Sequence, residues 1–266
     1  MRIIRYRDAS GRVFHAAEQQ GGSHLRIEGD VFGKFQVTRE KAEVRKMLPP
    51  VEPVQVWCIG QNYKKHAEEL GMALPEFPVV FAKGVNTIIA SGEAIRLPER
   101  AKSGEVDYEC ELVIVIGKEC KDVSRENALD HVAGYMCGND VSARDWQIKK
   151  GGSQWCRGKS FDTFAPIGPC LVTGDEVGDP NSLRIQTVLN GATVQDANTN
   201  DMIFDVRTIV SFLSESTTLF PGTLIFTGTP QGVGMGRKPQ LWLKDGDEVG
   251  VTIEKIGTIQ NRVAGK

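Results

Sequence analysis

The sequence predicts a mostly β protein of the α+β class, with a few short helices and a small β-module at the N-terminus. Short runs rich in β-branched residues recur along the 266 residues and are separated by turns rich in glycine and proline. Few stretches have helical spacing, and they do not alternate with the strand-like runs. This arrangement excludes a doubly wound α/β fold.

Residues 1–50 alternate in polarity and turn often, which is typical of short antiparallel strands. The runs "RIIRYRD", "RVFHAAEQ" and "SHLRIEG" carry this pattern, and "TREKAEVRKML" after them predicts a short helix. The proline-rich "PPVEP" then predicts a linker. We therefore expect a small β-module over residues 1–50 and a larger domain over residues 54–266.

Three later stretches predict helices within the larger domain. "SRENALDHVAGYM" and "DMIFDVRTIVSFLSES" place apolar residues at helical spacing, with Ser124 and Asp201 as the expected N-caps. "IGQNYKKHAEELG" is expected to leave a strand and begin a short helix, capped by Asn62 and stopped by Gly71.

The bulk composition excludes several classes of protein. The net charge is −2 and no basic patch dominates, so a nucleic-acid partner is not expected. No apolar run approaches the roughly 20 residues of a membrane span, and the charged start "MRIIRYRDASG" lacks a signal core. The six cysteines form no C-x-x-C pair, which favours reduced, buried thiols and a cytoplasmic location.

The stretch "VDYECELVIVIGK" combines a buried-strand pattern with three acids. Asp107, Glu109 and Glu111 alternate with apolar residues, so in a strand they share one face. Neighbouring carboxylates repel and need a counter-charge. The face is either a solvated edge or a set of oxygen ligands for a hard cation, Mg²⁺ or Mn²⁺.

Two further segments carry candidate polar residues. In "GYMCGNDVSARDWQ", Asp140 either caps a turn or, if the segment is helical, shares a face with Arg144 and Gln147. In "RGKSFDTFAPIGP", Lys159 is either an exposed lysine or a cation near an anionic substrate. A Walker loop is rejected because the matching upstream glycine and the following helix are missing.

A histidine and a glycine-rich loop complete the candidates. His66 and Glu69 lie three residues apart on the predicted helix, either as a surface ion pair or as a general base oriented by a carboxylate. In "GTLIFTGTPQGVGMG" a proline and a turn follow the glycines, which argues against a dinucleotide loop. Thr229 and its neighbours can still offer hydroxyl and N–H groups to an anion.

Together these segments resemble the fumarylacetoacetate hydrolase family over roughly residues 54–266. The resemblance is carried by seven motifs in order: "IGQNYKKHAEELG", "VDYECELVIVIG", "GYMCGNDVSARDWQ", "RGKSFDTFAPIGP", "NGATVQDANTNDMIF", "PGTLIFTGTPQGVG" and "GTIQNRV". It implies a mixed β-sandwich roll, usually a homodimer, that binds Mg²⁺ or Mn²⁺. Members of the family cleave or isomerise β-dicarbonyl acids.

The resemblance also implies a role for each matching residue. The metal ligands are expected to be Glu109, Glu111 and Asp140, and the active-site lysine Lys159. The residues expected near the substrate are Arg144, Gln147 and Thr229, and the catalytic dyad His66 and Glu69, as in the smaller acylpyruvase-like members. Asp107 matches no usual ligand and is expected to make contacts behind the ligands or at the surface.

The implied reaction is hydrolysis of a C–C bond in a 2-oxo acid such as an acylpyruvate or fumarylpyruvate, through a pyruvate enolate. Oxaloacetate decarboxylation and isomerisation of 2-hydroxyhepta-2,4-diene-1,7-dioate are alternatives on the same site. A metal-dependent binding protein without turnover is a third, weaker possibility. "KGVNTI" and Cys170 depart from the family pattern, so the choice of substrate stays open.

Overall fold

A computed structural model describes residues 1–265, and confirms the predicted mostly β class. The strands are β1 (Arg2–Arg7), β2 (Val13–Glu18), β3 (His24–Gly29), β4 (Phe35–Lys41), β5 (Lys46–Leu48), β6 (Val56–Gly60), β7 (Val79–Ala82), β8 (Ile88–Ala90), β9 (Ile95–Arg96), β10 (Val106–Asp107), β11 (Cys110–Ile116), β12 (Val132–Asn139), β13 (Ser142–Ala143), β14 (Ala165–Thr173), β15 (Arg184–Leu189), β16 (Ala192–Asn198), β17 (Leu224–Phe226), β18 (Glu248–Ile253) and β19 (Gly257–Ala264). The α-helices are α1 (Lys64–Glu69), α2 (Cys156–Lys159), α3 (Gly174–Val177) and α4 (Val206–Ser214). A π-helical turn spans Asp145–Lys150, and 3₁₀ turns span Val85–Thr87, Ala128–His131, Thr199–Asp201 and Gly234–Gly236.

The strands form two main sheets and one small one. The larger sheet has the order β4-β3-β2-β1-β14-β12-β11-β17-β6-β7, with β5 added on β1 and β8 on β14. It is mixed, because β17 and β6 pair in parallel while most other neighbours are antiparallel. The second sheet has the order β16-β15-β18-β19-β9, and β10 pairs with β13.

Strand β11 lies inside the protein and is covered on both faces. Leu112 and Ile114 share a buried cluster with Ile185 of the second sheet, whereas Val113 and Val115 belong to a second cluster on the opposite face. A strand covered on both faces needs apolar residues at every position, which explains the continuous run in the sequence. The two sheets therefore face each other across this core, as in the predicted sandwich.

The N-terminal strands extend the larger sheet. β1 pairs with β14 through Ile3 and Leu171, so residues 1–50 continue the same sheet as β11. Whether these residues form a separate module stays a prediction. Lys266, at which the predicted domain ends, lies outside the described residues.

Two helix predictions are wrong. "TREKAEVRKML" covers the end of β4 and β5, and "SRENALDHVAGYM" contains only a 3₁₀ turn before β12 begins. Strand β12 lies between β11 and β14, and pairing with both neighbours outweighs a weak local helical pattern. Helix α4 is confirmed, but its N-cap is Asp205 rather than Asp201: the Asp205 Oδ1 accepts from Thr208 N at 2.8 Å.

Candidate metal centre and active site

Three carboxylates lie close together where strand β11 begins and strand β12 ends. The two strands are antiparallel with Cys110 opposite Asn139, so the residues next to this pair, Glu109 and Asp140, also lie opposite each other. The Asp140 N–H donates to the Glu109 carbonyl at 2.9 Å. Glu111 lies two residues further along the same face, and one oxygen from each acid falls within 4.8 Å of the others. Strand register thus brings together the three ligands that the resemblance implied.

Two buried lysines neutralise part of this cluster. The Lys159 Nζ donates to Glu109 at 2.7 Å and to Asp140 at 2.6 Å, so Lys159 is not the exposed lysine of the alternative interpretation. The Lys83 Nζ donates to Asp140 at 2.6 Å and to the Val141 carbonyl at 3.1 Å. Sequence reasoning missed Lys83, which directly follows strand β7 and is itself buried; a buried ammonium needs a partner.

The acids of the cluster are electrostatically unequal. Burial would raise the pKa of Glu109, but Lys159 and Arg144 beside it lower that pKa to about 2. Burial, together with Asp140 and Glu109, raises the pKa of Glu111 well above its ordinary value. Glu111 accepts from Gly228 N at 2.7 Å and has no ion pair among residues 1–265. Of the three acids, Glu111 is the one whose charge lacks a cationic partner.

The donor set fits a hard divalent cation. Three carboxylates offer the oxygen ligands that Mg²⁺ and Mn²⁺ prefer, and all three are buried. When every acid is ionised, the cluster has one more carboxylate than cation, counting Asp107, Glu109, Glu111 and Asp140 against Lys83, Arg144 and Lys159. A divalent cation would reverse this excess and make the site favourable to an anion.

Asp107 lies behind the ligands and holds Arg144. It is fully buried, and its Oδ2 accepts from the Arg144 Nε at 2.9 Å. The Arg144 Nη2 lies 2.6 Å from a Glu109 oxygen, and the Arg144 Nη1 donates to the Gln147 Oε1 at 3.0 Å. That bond fixes the Gln147 side chain and leaves its amide N–H groups for the cavity. The helical face that Asp140 was expected to share with Arg144 and Gln147 does not exist, because Asp140 directly follows strand β12. Arg144 and Gln147 are nevertheless in contact through their hydrogen bond.

His66 and Glu69 form a dyad on helix α1, as the resemblance implied. The His66 Nδ1 lies 3.2 Å from the Glu69 Oε2, and His66 is only 5% exposed, which argues against a surface ion pair. The Glu69 Oε1 accepts from Gly232 N at 2.9 Å, so the loop after β17 holds the acid. With Nδ1 facing Glu69, the His66 Nε2 is left to act on a ligand.

Helix α1 is stopped by the predicted residue but does not have the predicted N-cap. Gly71 follows it at φ +65° and stops it as predicted. Asn62 does not cap it: the Asn62 amide donates to the Thr227 carbonyl at 2.7 Å and to the Phe204 carbonyl at 3.1 Å. These bonds fix the segment before α1 to the loop after β17 and to the segment before α4.

Thr229 is held by a buried glutamine that sequence reasoning gave no role. The Gln195 Oε1 accepts from Cys110 N and from the Thr187 hydroxyl, so its Nε2 must donate, and it does so to the Thr229 Oγ1 at 2.9 Å. The Thr229 oxygen therefore accepts one bond and keeps its own proton for another partner. Gln195 lies in the quoted motif "NGATVQDANTNDMIF", which was its only sequence signal.

One cavity of about 220 Å³ collects most of these residues. Its polar lining includes His66, Glu109, Glu111, Arg144, Gln147, Lys159 and Thr229. Glu69 and Asp140 are not in the lining but contact it, Glu69 through His66 and Asp140 through Lys159. Its apolar lining includes Ile59, Phe81, Trp155, Met72 and Met235. The volume is suited to a small metabolite rather than to a dinucleotide. With a divalent cation held by the acid cluster, the arrangement could bind a small anion there and move a proton at His66.

Two predictions about the whole chain can be compared with the structure. All six cysteines are free, and only Cys156 is partly exposed. No helix within residues 1–265 is both long and apolar enough to cross a membrane.

Known proteins resemble this chain over most of its length. Residues 55–264 match the family model described as fumarylacetoacetate (FAA) hydrolase C-terminal. A fumarylacetoacetate hydrolase domain-containing protein 2 homolog from Dictyostelium discoideum is 52% identical over 227 residues, which cover 82% of this chain and 74% of that protein. The human mitochondrial oxaloacetate tautomerase FAHD2A is 44% identical over 245 residues, 92% of this chain and 77% of that protein.

A solved structure has the same fold. The 2-hydroxyhepta-2,4-diene-1,7-dioate isomerase from Mycobacterium marinum superposes with a TM-score of 0.86 at 40% identity. The match covers 100% of this chain and 99% of that one. The similarity therefore includes the N-terminal strands as well as the two sheets that carry the site.

Proposed function

The chain belongs to the fumarylacetoacetate hydrolase family, and we propose that it is a metal-dependent enzyme that interconverts the enol and keto forms of oxaloacetate. The observation that carries this proposal is that His66, held by Glu69, lines the same cavity as Lys159 and the acid cluster. The names of the relatives support it, since one is an oxaloacetate tautomerase and another an isomerase of an unsaturated diacid.

In this proposal a 2-oxo acid lies with its carboxylate and 2-oxo group at the acid cluster. Glu109, Glu111 and Asp140 would hold Mg²⁺ or Mn²⁺ there, and the ion would withdraw electron density from the 2-oxo group. The His66 Nε2 takes the proton from the adjacent carbon, and Glu69 keeps the imidazole in the tautomer that can accept it. Returning that proton to the oxygen completes the interconversion, so no other reactant is needed.

Three side chains would stabilise the charge that develops on the oxygen. The Lys159 ammonium gives two of its three hydrogens to Glu109 and Asp140 and has a third for the substrate. The Gln147 amide and the Thr229 hydroxyl each have an unused hydrogen at the same cavity. Donors already in place at a developing oxyanion usually supply the largest part of catalysis.

Hydrolysis of an acylpyruvate is the second candidate function, and the same dyad favours it. The His66 Nε2 can remove a proton from water as well as from carbon, and the resulting attack on the distal carbonyl breaks the C–C bond. The pyruvate enolate that leaves would meet the same donors. Decarboxylation of oxaloacetate forms that enolate too, but it needs no base.

The test follows three reactions of two substrates, oxaloacetate and acetylpyruvate, on one metal-loaded protein. Loss of the enol absorbance of oxaloacetate reports tautomerisation, and release of pyruvate from acetylpyruvate or from oxaloacetate reports the other two reactions. We expect His66→Ala to lower tautomerisation by about 10²- to 10⁴-fold, and His24→Ala, on the distant strand β3, to leave it unchanged. Enol loss no faster than with Mg²⁺ alone would reject the tautomerase, and acetylpyruvate turnover would then favour hydrolysis.

Two further parts of the proposal concern the protein in the cell. We propose a homodimer, as the family resemblance implies, and light scattering of the purified protein tests it. We also propose a cytoplasmic location on the basis of the reduced cysteines, although the named relatives include mitochondrial proteins. Cell fractionation decides between the two compartments.

A further inference from the structure

We propose that Gln61 binds the distal carboxylate of the substrate and makes the site selective for dicarboxylic over monocarboxylic 2-oxo acids. The inference rests on the proposed function and deepens it by naming a specificity residue. Gln61 lines the same cavity as His66 and Glu109 but follows strand β6, next to the apolar wall formed by Ile59, Phe81 and Trp155.

The backbone holds Gln61 in a conformation that side chains rarely adopt. Its φ is +53°, in the left-handed region that favours glycine. Its neighbours are fixed: Asn62 is hydrogen-bonded to Thr227 and Phe204, and a Cβ on Gly60 would lie 2.2 Å from the Trp155 ring. Non-glycine residues in this region cluster at ligand-binding sites, where the strain is kept for a purpose. Here this backbone conformation places the Gln61 amide in the wall of the cavity.

The Gln61 amide has a weak partner that a ligand could replace. Its Nε2 donates to the Met72 Sδ at 3.0 Å, and within residues 1–265 this is its only hydrogen bond. A thioether is a weak acceptor, whereas a carboxylate accepts strong, charge-assisted bonds. Met72 follows helix α1 and also lines the cavity, so both groups meet at the cavity surface. A bound carboxylate would therefore gain a better bond than the one it displaces.

The cationic donors of the cavity lie beside the acid cluster. Lys159 is bonded to Glu109 and Asp140, and Arg144 lies between Asp107 and Glu109. A dicarboxylic substrate that places one carboxylate there leaves its second carboxylate near the apolar wall. Among the residues that line this wall, Gln61 offers an amide donor for it.

The test separates ligand recognition from turnover. L-malate and L-lactate share a 2-hydroxy acid end and differ in the distal carboxylate, and neither decays in solution. We would measure both dissociation constants by calorimetry on the Mg²⁺-loaded protein, for the wild type, Gln61→Met and Met72→Leu. Methionine matches glutamine in size but has no donor. A hydrogen bond to a charged group corresponds to about a 10- to 100-fold change in affinity.

We expect Gln61→Met to reduce the preference for malate over lactate by that factor and to leave lactate binding unchanged. Met72→Leu removes only the competing acceptor and should retain the malate preference. Gln61→Glu should lose malate binding further, because it faces the ligand with a like charge. An unchanged preference in Gln61→Met would overturn the inference even if the wild type turns over oxaloacetate. A wild type that fails to turn over oxaloacetate but loses its malate preference in Gln61→Met would reject only the proposed reaction.

Discussion

Replacing Asp107 by asparagine tests how the site is held together, because it changes one atom and no volume. The Asp107 Oδ1 accepts from Gly234 N at 2.7 Å and Tyr108 N at 2.9 Å, and the Oδ2 accepts from Arg144 Nε at 2.9 Å and Met235 N at 3.0 Å. Whichever way the asparagine turns, its NH₂ group faces two donors. Burial raises the pKa of Asp107 despite Arg144, so the main cost is expected from unsatisfied donors rather than lost attraction.

The magnitude follows from these contacts. Each buried donor without an acceptor costs about 1–3 kcal/mol, and breaking a buried ion pair costs about 3–5 kcal/mol. The asparagine NH₂ group leaves two such donors unsatisfied, so we expect Asp107→Asn to lower the free energy of unfolding by about 4 kcal/mol, which for a chain of this size lowers the Tm by roughly 10 °C. The displaced Arg144 would no longer position Gln147, so activity should fall as well.

Thermal unfolding compared with a matched variant provides the assay. Asp196 also pairs with an arginine through two bonds, but Arg184 and Asp196 are 62% and 44% exposed. Exposed pairs contribute about 0–1 kcal/mol, so Asp196→Asn should hardly change the Tm. If both variants unfolded within 2 °C of the wild type, the role assigned to Asp107 would be wrong.

Three further predictions concern the acid cluster and the cavity wall. Because burial raises the pKa of Glu111, Mg²⁺ binding should release a proton and should become stronger as the pH rises. Calorimetry in buffers of different ionisation enthalpy should then give unequal heats of Mg²⁺ binding, and equal heats would contradict this. Lys83→Met should destabilise the metal-free protein by about 3–5 kcal/mol, and Mg²⁺ should recover part of the loss by replacing a cation beside Asp140; an equal Tm deficit with and without Mg²⁺ would argue against it. Gly60→Ala should cost about 1–3 kcal/mol and alter tryptophan fluorescence, since the added Cβ displaces Trp155, and an unchanged emission spectrum would refute that contact.

The part of the site that lies on one strand was readable from the sequence. A period of two places Glu109 and Glu111 on a common face, and the apolar run after them requires a buried strand. Asp140 could not be placed in this way, because its position depends on the pairing of β11 with β12 about thirty residues away. Its role as a ligand came from the family resemblance. The spacing of His66 and Glu69 already allowed a general base oriented by a carboxylate, and the resemblance favoured that interpretation over a surface ion pair. The roles of all these residues stay predictions.

Residues whose function depends on distant partners were missed. Lys83 meets Asp140 across 57 positions, and Gln195 meets Thr229 across 34, so neither leaves a local pattern. The helix predicted over β12 failed for a related reason. Its apolar residues fit helical spacing, but pairing on both sides within the sheet decided the outcome.

The alternation along β11 also has a consequence for folding fidelity. Glu109 and Glu111 point to the same face as Val113, and Cys110 points with Leu112 into the core between the sheets. A strand that slipped by one residue would exchange the two faces and drive both carboxylates into that apolar core. Burying two carboxylates in that apolar core would cost free energy that the correct register does not cost. The acids therefore disfavour the wrong register. Only molecules whose central sheet has formed in the correct register would then be able to bind a divalent cation.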